Sequence, residues 1–102
     1  MLNLNFKLQP QTEKKIKRIL DQHPDKEIFF QDVIKNQINE LKHGINNIEI
    51  DLRKFEQKYQ QATKDFYRQF TNGELEDKED FIVWAGIYEM QLENKKKLVE
   101  LE

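Results

Sequence analysis

Ten residues, Ile34, Ile38, Leu41, Ile45, Ile48, Leu52, Phe55, Tyr59, Ala62 and Phe66, follow one another at spacings that alternate between four and three. This is an unbroken heptad seam, the pattern of a helix that buries one narrow stripe. It predicts a helix from about Gln31 to Gln69, interrupted only by Gly44, which sits off the seam and costs about 1 kcal/mol relative to alanine. Such a helix needs a neighbour along its whole stripe. The spacing leaves open whether that neighbour is a later segment of the same chain or a second chain.

Composition agrees with solvated helices. Of 102 residues, 37% are hydrophobic and 35% charged, with three Gly and two Pro, which limits the core to one small domain. There is no Cys, hence no disulfide frame or thiolate metal site, and no apolar run approaches the roughly 18 residues of a membrane span. The start lacks the pattern of a secretory leader, so a cytoplasmic protein with no membrane role is expected. Charge is unevenly placed. Residues 1–18 carry Lys7, Lys14, Lys15, Lys17 and Arg18 against Glu13, a net of plus 4, whereas residues 74–102 carry nine acids against four lysines, a net of minus 5. A basic amino end suits phosphates, and an acidic carboxyl end suits a basic protein.

Ahead of the seam lies LNLNFKL, residues 2–8, with Leu2, Leu4, Phe6 and Leu8 alternating with Asn3, Asn5 and Lys7. Perfect alternation predicts a strand with one apolar and one polar face. Nothing else in the chain reads as a strand, and a lone strand leaves its backbone groups unpaired, so the expected partner is the same strand of a second copy, antiparallel about a two-fold axis. The polar face then either meets water or reads a ligand. A two-stranded ribbon fits the DNA major groove, where Asn and Lys reach base edges.

Pro10 suits the first turn of a short amphipathic helix bearing Ile16, Ile19 and Leu20, which His23-Pro24-Asp25 ends, with Asp25 a candidate cap for the seam helix. Thr71-Asn72-Gly73 ends the seam helix, Gly73 supplying a left-handed residue, and Asp77 is a candidate cap for a third helix. That helix opens FIVWAGIYEM, residues 81–90, whose apolar members point nearly all round and leave only a narrow sector around Gly86 and Glu89. Phe81, Trp84 and Tyr88 are placed to face the seam, and Ile82, Val83, Ile87 and Met90 to face something else. Aromatic residues and Met rimmed by acids are what a protein-protein hot spot contains, so all seven are candidate partner-binding residues.

No catalytic constellation is legible. His23 and His43 have no carboxylate or second His at metal-ligand spacing, and there is no Ser-His-Asp or Cys-His set and no Gly-rich phosphate loop. A protein that is not an enzyme, without metal or cofactor, is expected.

The order strand, Pro, short helix, turn, second helix over residues 2–43 resembles the ribbon-helix-helix family of dimeric transcription regulators. The resemblance implies that Asn3, Asn5 and Lys7 read bases while Lys14, Lys15, Lys17 and Arg18 lie near phosphates. It also implies a dimer core of Leu4, Phe6, Leu8, Ile16, Ile19, Leu20, Val33, Ile34, Ile38 and Leu41. The chain departs from that family at KEIFFQD, which offers no hydroxyl for a phosphate at the second helix start. DFYRQFTNGELEDKEDFIVWAGIYEM, residues 65–90, is similar to the carboxyl-terminal segment of small prokaryotic antitoxins, whose amino end binds operator DNA and whose carboxyl end covers a basic toxin.

The expected fold is mainly α: an N-terminal strand paired between protomers, a long second helix with a heptad seam, and a third helix after an acidic turn. Residues 1–43 form the dimerisation and DNA-binding module, 44–70 a helical extension, and 71–102 the acidic turn and partner-binding helix. The expected function is that of a homodimeric DNA-binding antitoxin of a toxin-antitoxin pair, binding double-stranded operator DNA and a basic toxin. The alternative is a coiled-coil or helical-hairpin adaptor that binds no DNA.

Overall fold

The structure is a computed structural model that describes residues Met1–Glu102. It contains four helices, α1 (Pro10–Asp21), α2 (Lys26–Tyr59), α3 (Thr63–Thr71) and α4 (Glu79–Leu101), and no strand. The expected N-terminal strand is therefore overturned. Residues 1–9 are non-helical and make no ladder, and the only backbone hydrogen bond they enter is the one that Gln9 O accepts from Glu13 N at 3.0 Å, at the start of α1. The physical reason is that alternation assigns side chains to faces, whereas a strand exists only where a second backbone pairs with it.

The chain divides into two compact units, Met1–Val33 and Ile34–Glu102. In the first, α1 begins at Pro10, whose missing N–H costs nothing in a first turn. Lys26 Nζ donates to the carbonyls of Leu20 and His23, capping the end of α1. Asp25 caps α2 as its position suggested, Oδ1 accepting from Ile28 N at 3.1 Å. The unit has no buried residue. Only Leu20 and Phe29 are even half-buried, and Phe6 is 72% exposed.

The second unit has a core. The expected single helix through Gln69 is broken after Tyr59, where Gln60 takes a left-handed conformation with φ of 51°. Gln61 N donates to Glu56 O at 3.2 Å, closing the end of α2, and the Glu56 carboxylate accepts from Thr63 N at 2.8 Å and Thr63 Oγ1 at 2.9 Å, starting α3. Gly73, at φ of 73°, ends α3 as expected: Glu74 N reaches Gln69 O and Gly73 N reaches Phe70 O, the paired bonds of a left-handed helix stop. Asp77 does not cap α4; Lys78 holds that position, without a side-chain bond.

α4 runs back along α2. Lys58 Nζ donates to Asp80 Oδ2 at 2.7 Å near one end, Gln91 Nε2 donates to Ile45 O at 3.0 Å further along, and Lys42 pairs with Glu102 at 3.7 Å near the other. The seam is thus met within the chain. Leu52 and Phe66 are buried, and Ile48, Phe55 and Tyr59 pack on the same cluster; Ile34 and Ala62 remain exposed. Trp84, fully buried, is the centre: Phe66 stacks on it at 3.8 Å and 4°, and Phe55 and Tyr59 lie nearly parallel to it at 5.5 Å and 5.8 Å. Its Nε1–H donates to Thr63 Oγ1 at 3.1 Å. Stacked rings of this kind add to the transfer energy of the burial itself.

Candidate functional site

Two surfaces remain after the fold is accounted for, one in each unit. In the first unit, Leu2, Leu4 and Phe6 of the extended segment, Ile16, Ile19 and Leu20 of α1, and Phe29, Phe30 and Val33 of α2 line one open groove of about 510 Å³. Six of the ten residues expected in a dimer core, Leu4, Phe6, Ile16, Ile19, Leu20 and Val33, line this groove; Leu8, Ile34, Ile38 and Leu41 lie outside it, and Leu2, Phe29 and Phe30 join it. Exposed apolar surface this continuous is unusual on a monomer.

The opposite side of α1 is basic. Lys14, Lys15 and Arg18 share with Gln11 a shallow hollow; at 100° per residue Gln11, Lys14 and Arg18 point away from Ile16, Ile19 and Leu20, and Lys15 stands at the border, one turn before Ile19. None of the three cations has an acidic partner within the first unit or elsewhere, whereas Lys17 is paired with Glu13 at 3.4 Å. Asn3, Asn5 and Lys7 are exposed on the extended segment. The base-reading role expected of them required a ribbon, and the segment forms none.

In the second unit, the candidate partner residues separate into two groups. Trp84 is buried and Phe81, Ile87 and Tyr88 pack against the core, so they serve the fold. Ile82, Val83 and Met90 are 56%, 44% and 58% exposed on the outer side of α4. Within the chain, therefore, only one side of FIVWAGIYEM is covered, by α2 and α3, and Ile87 belongs to that side and not to the outer one; the other side is open. Gly86 lies in that open side, and a Cβ built on it meets nothing within 4 Å.

Polar groups around the core are mostly partnered. Asp80 accepts from Lys58 and from the Tyr59 hydroxyl, and these bonds hold its carboxyl below the ordinary carboxylate range; the same Asp80 bond raises Lys58. The Tyr67 hydroxyl donates to Glu89 at 2.7 Å, which raises its pKa. Gln91, 1% exposed, donates to Ile45 O and Glu49 Oε2 and leaves its own Oε1 without a partner. Sequence reasoning did not single out Gln91, since a glutamine in a charged stretch carries no burial signal.

No group of three or more His, Asp or Glu side chains is arranged to hold a metal ion, and no helix is long and apolar enough to cross a membrane. The chain matches no family model, no curated protein and no solved structure.

Proposed function

We propose that the protein is a homodimeric DNA-binding regulator of the antitoxin type. Two copies close their amino-terminal grooves on each other, the basic sides of the two α1 helices meet DNA phosphates, and the carboxyl-terminal unit carries a surface for a basic toxin. One observation carries this reading: no residue of 1–33 is fully buried in a single chain, yet the large apolar side chains of α1 gather towards one side and three unpaired cations towards the other. A unit with no core of its own needs a partner to offset its ordering entropy. A second copy supplies identical apolar residues and doubles the cationic stripe.

The test is fluorescence anisotropy against the DNA upstream of the protein's own reading frame. Six cations from two copies, each displacing a counterion, give a log–log salt slope of about −5. Lys14→Ala/Lys15→Ala/Arg18→Ala should flatten that slope and weaken binding with no change in helix content. Equal binding by the variant, or a salt slope near zero for the native protein, would reject the regulator.

The second reading, an adaptor without a DNA role, draws on a different observation. Ile48, Leu52, Phe55 and Tyr59 of the seam and Trp84 of α4 are consumed within one chain as a helical hairpin. A hairpin with that core is complete as a scaffold, and shallow salt dependence in the same titration would favour it.

A further inference from the structure

Gly86 stands two turns inside a 23-residue helix, where glycine weakens the helix relative to alanine. Nothing in the fold requires it. It is helical rather than left-handed, and a Cβ there meets nothing within 4 Å, so the chain itself has no reason to keep the position bare. Its surroundings are apolar and open. Ile82, Gly86 and Met90 form a row one turn apart, with Val83 beside it, on the side of α4 opposite the buried Trp84 and Gln91. A bare position flanked by large apolar side chains is a dent into which a second helix can settle with its axis unusually close.

Charge decides what occupies it. Glu79 and Glu93 stand seven residues to either side of Gly86 on the same side of the helix, about 21 Å apart along the axis, and neither is in an ion pair. If a second copy crossed antiparallel at Gly86, Glu79 would lie against Glu93 of its partner. A parallel copy would set each glutamate against itself. Both arrangements oppose like charges, in a helix that carries five acids (Glu79, Asp80, Glu89, Glu93 and Glu100) against Lys95, Lys96 and Lys97. A helix with small apolar residues at the crossing and Lys or Arg two turns to either side meets complementary charge at both ends.

We propose that the outer side of α4, centred on Gly86, is a docking site for a basic amphipathic helix of a partner protein. This deepens, and rests on, the reading of the carboxyl-terminal unit as a partner surface.

The test uses the full chain as bait for a phage-displayed library of random helical peptides. Enriched peptides should carry an apolar row with a small residue at its centre and Lys or Arg at its ends, and should bind at least tenfold more weakly to Gly86→Gln and to Ile82→Ser. Gly86→Gln should keep or raise the unfolding midpoint, because its side chain points into open space. Glu79→Gln/Glu93→Gln should weaken the same peptides and reduce their salt dependence. Enrichment of acidic or uncharged peptides, of sequences resembling α4 itself, or of peptides indifferent to both variants, would overturn the site, as would no enrichment over the naive library. DNA anisotropy on Gly86→Gln separates the two proposals: intact DNA binding beside a failed selection removes the docking site alone.

Discussion

Thr63→Val tests the centre of the carboxyl-terminal core. Val nearly matches Thr in shape, so the substitution removes a hydroxyl without opening a cavity. Thr63 Oγ1 is the one partner of the Trp84 indole N–H, 3.1 Å away inside a fully buried side chain, and it donates in turn to Glu56 Oε2 at 2.9 Å. Leaving a buried donor unpaired costs about 1–3 kcal/mol, and losing a hydrogen bond to a carboxylate costs about 1.5–3 kcal/mol more. The Glu56 carboxylate keeps its bond from Thr63 N, so α3 retains its start. The sum, about 2.5–6 kcal/mol, is a large share of the 5–15 kcal/mol typical of a domain. At about 4–8 °C per kcal/mol for a chain of this size, the unfolding midpoint should fall by more than 10 °C. The assay is thermal and urea unfolding by far-UV circular dichroism, at fixed protein concentration. A double-mutant cycle isolates the bond: on a Trp84→Phe background, which has no indole donor, Thr63→Val should cost at least about 1 kcal/mol less. A loss within about 0.5 kcal/mol for the single variant, or zero coupling in the cycle, would refute the network.

Two further outcomes follow from single positions. Gln60 holds a left-handed conformation that costs an L-residue about 1–2 kcal/mol, so Gln60→Gly should raise stability by about 1 kcal/mol in the same urea titration, and a loss would show that its side-chain bond to Gln57 O matters more. Asp80 is depressed first by its bond from Lys58 and then by that from Tyr59, so its contribution is present above the ordinary carboxylate value, near pH 4, and is lost as pH falls through its lower folded value. Lys58 and Tyr67 are raised, so theirs are present below about pH 10 and lost as pH rises past it. Asp80→Asn should flatten the acid limb of a stability–pH profile and also reduce the Lys58 part of the alkaline limb, leaving the Tyr67 part.

Much of the chain's helical order was legible. Pro10, Asp25 and Gly73 sit where their backbone chemistry placed them, and the seam residues Ile48, Leu52, Phe55, Tyr59 and Phe66 join the core, whereas Ile34 and Ala62 are exposed. Two features were not. The break at Gln60 contains no glycine or proline, and Tyr59, Ala62 and Phe66 keep helical spacing across it, so periodicity ran through a turn that Glu56 and Thr63 fix only in three dimensions. LNLNFKL alternates as a strand does, but its ladder depends on a backbone outside the segment, and one chain offers none. The surfaces were read in part. Alternation and helical spacing selected most of the groove residues but not Phe29 and Phe30; helical spacing also set Phe81, Trp84 and Tyr88 against the seam, where they pack, but put Ile87 on the outer side because an apolar helix does not show in sequence which side its own fold consumes.

The amino-terminal unit has no buried residue of its own, so its order depends on pairing with a second copy. Sedimentation equilibrium of the full chain beside Phe6→Asp/Val33→Asp tests that pairing directly. Both substitutions lie in the open groove, outside the carboxyl-terminal core. The native protein should sediment at twice the 12.4 kDa chain mass and the variant at a single chain mass, with the carboxyl-terminal helices retained. A native protein that sediments as one chain, or a variant that still pairs, would contradict pairing through the groove.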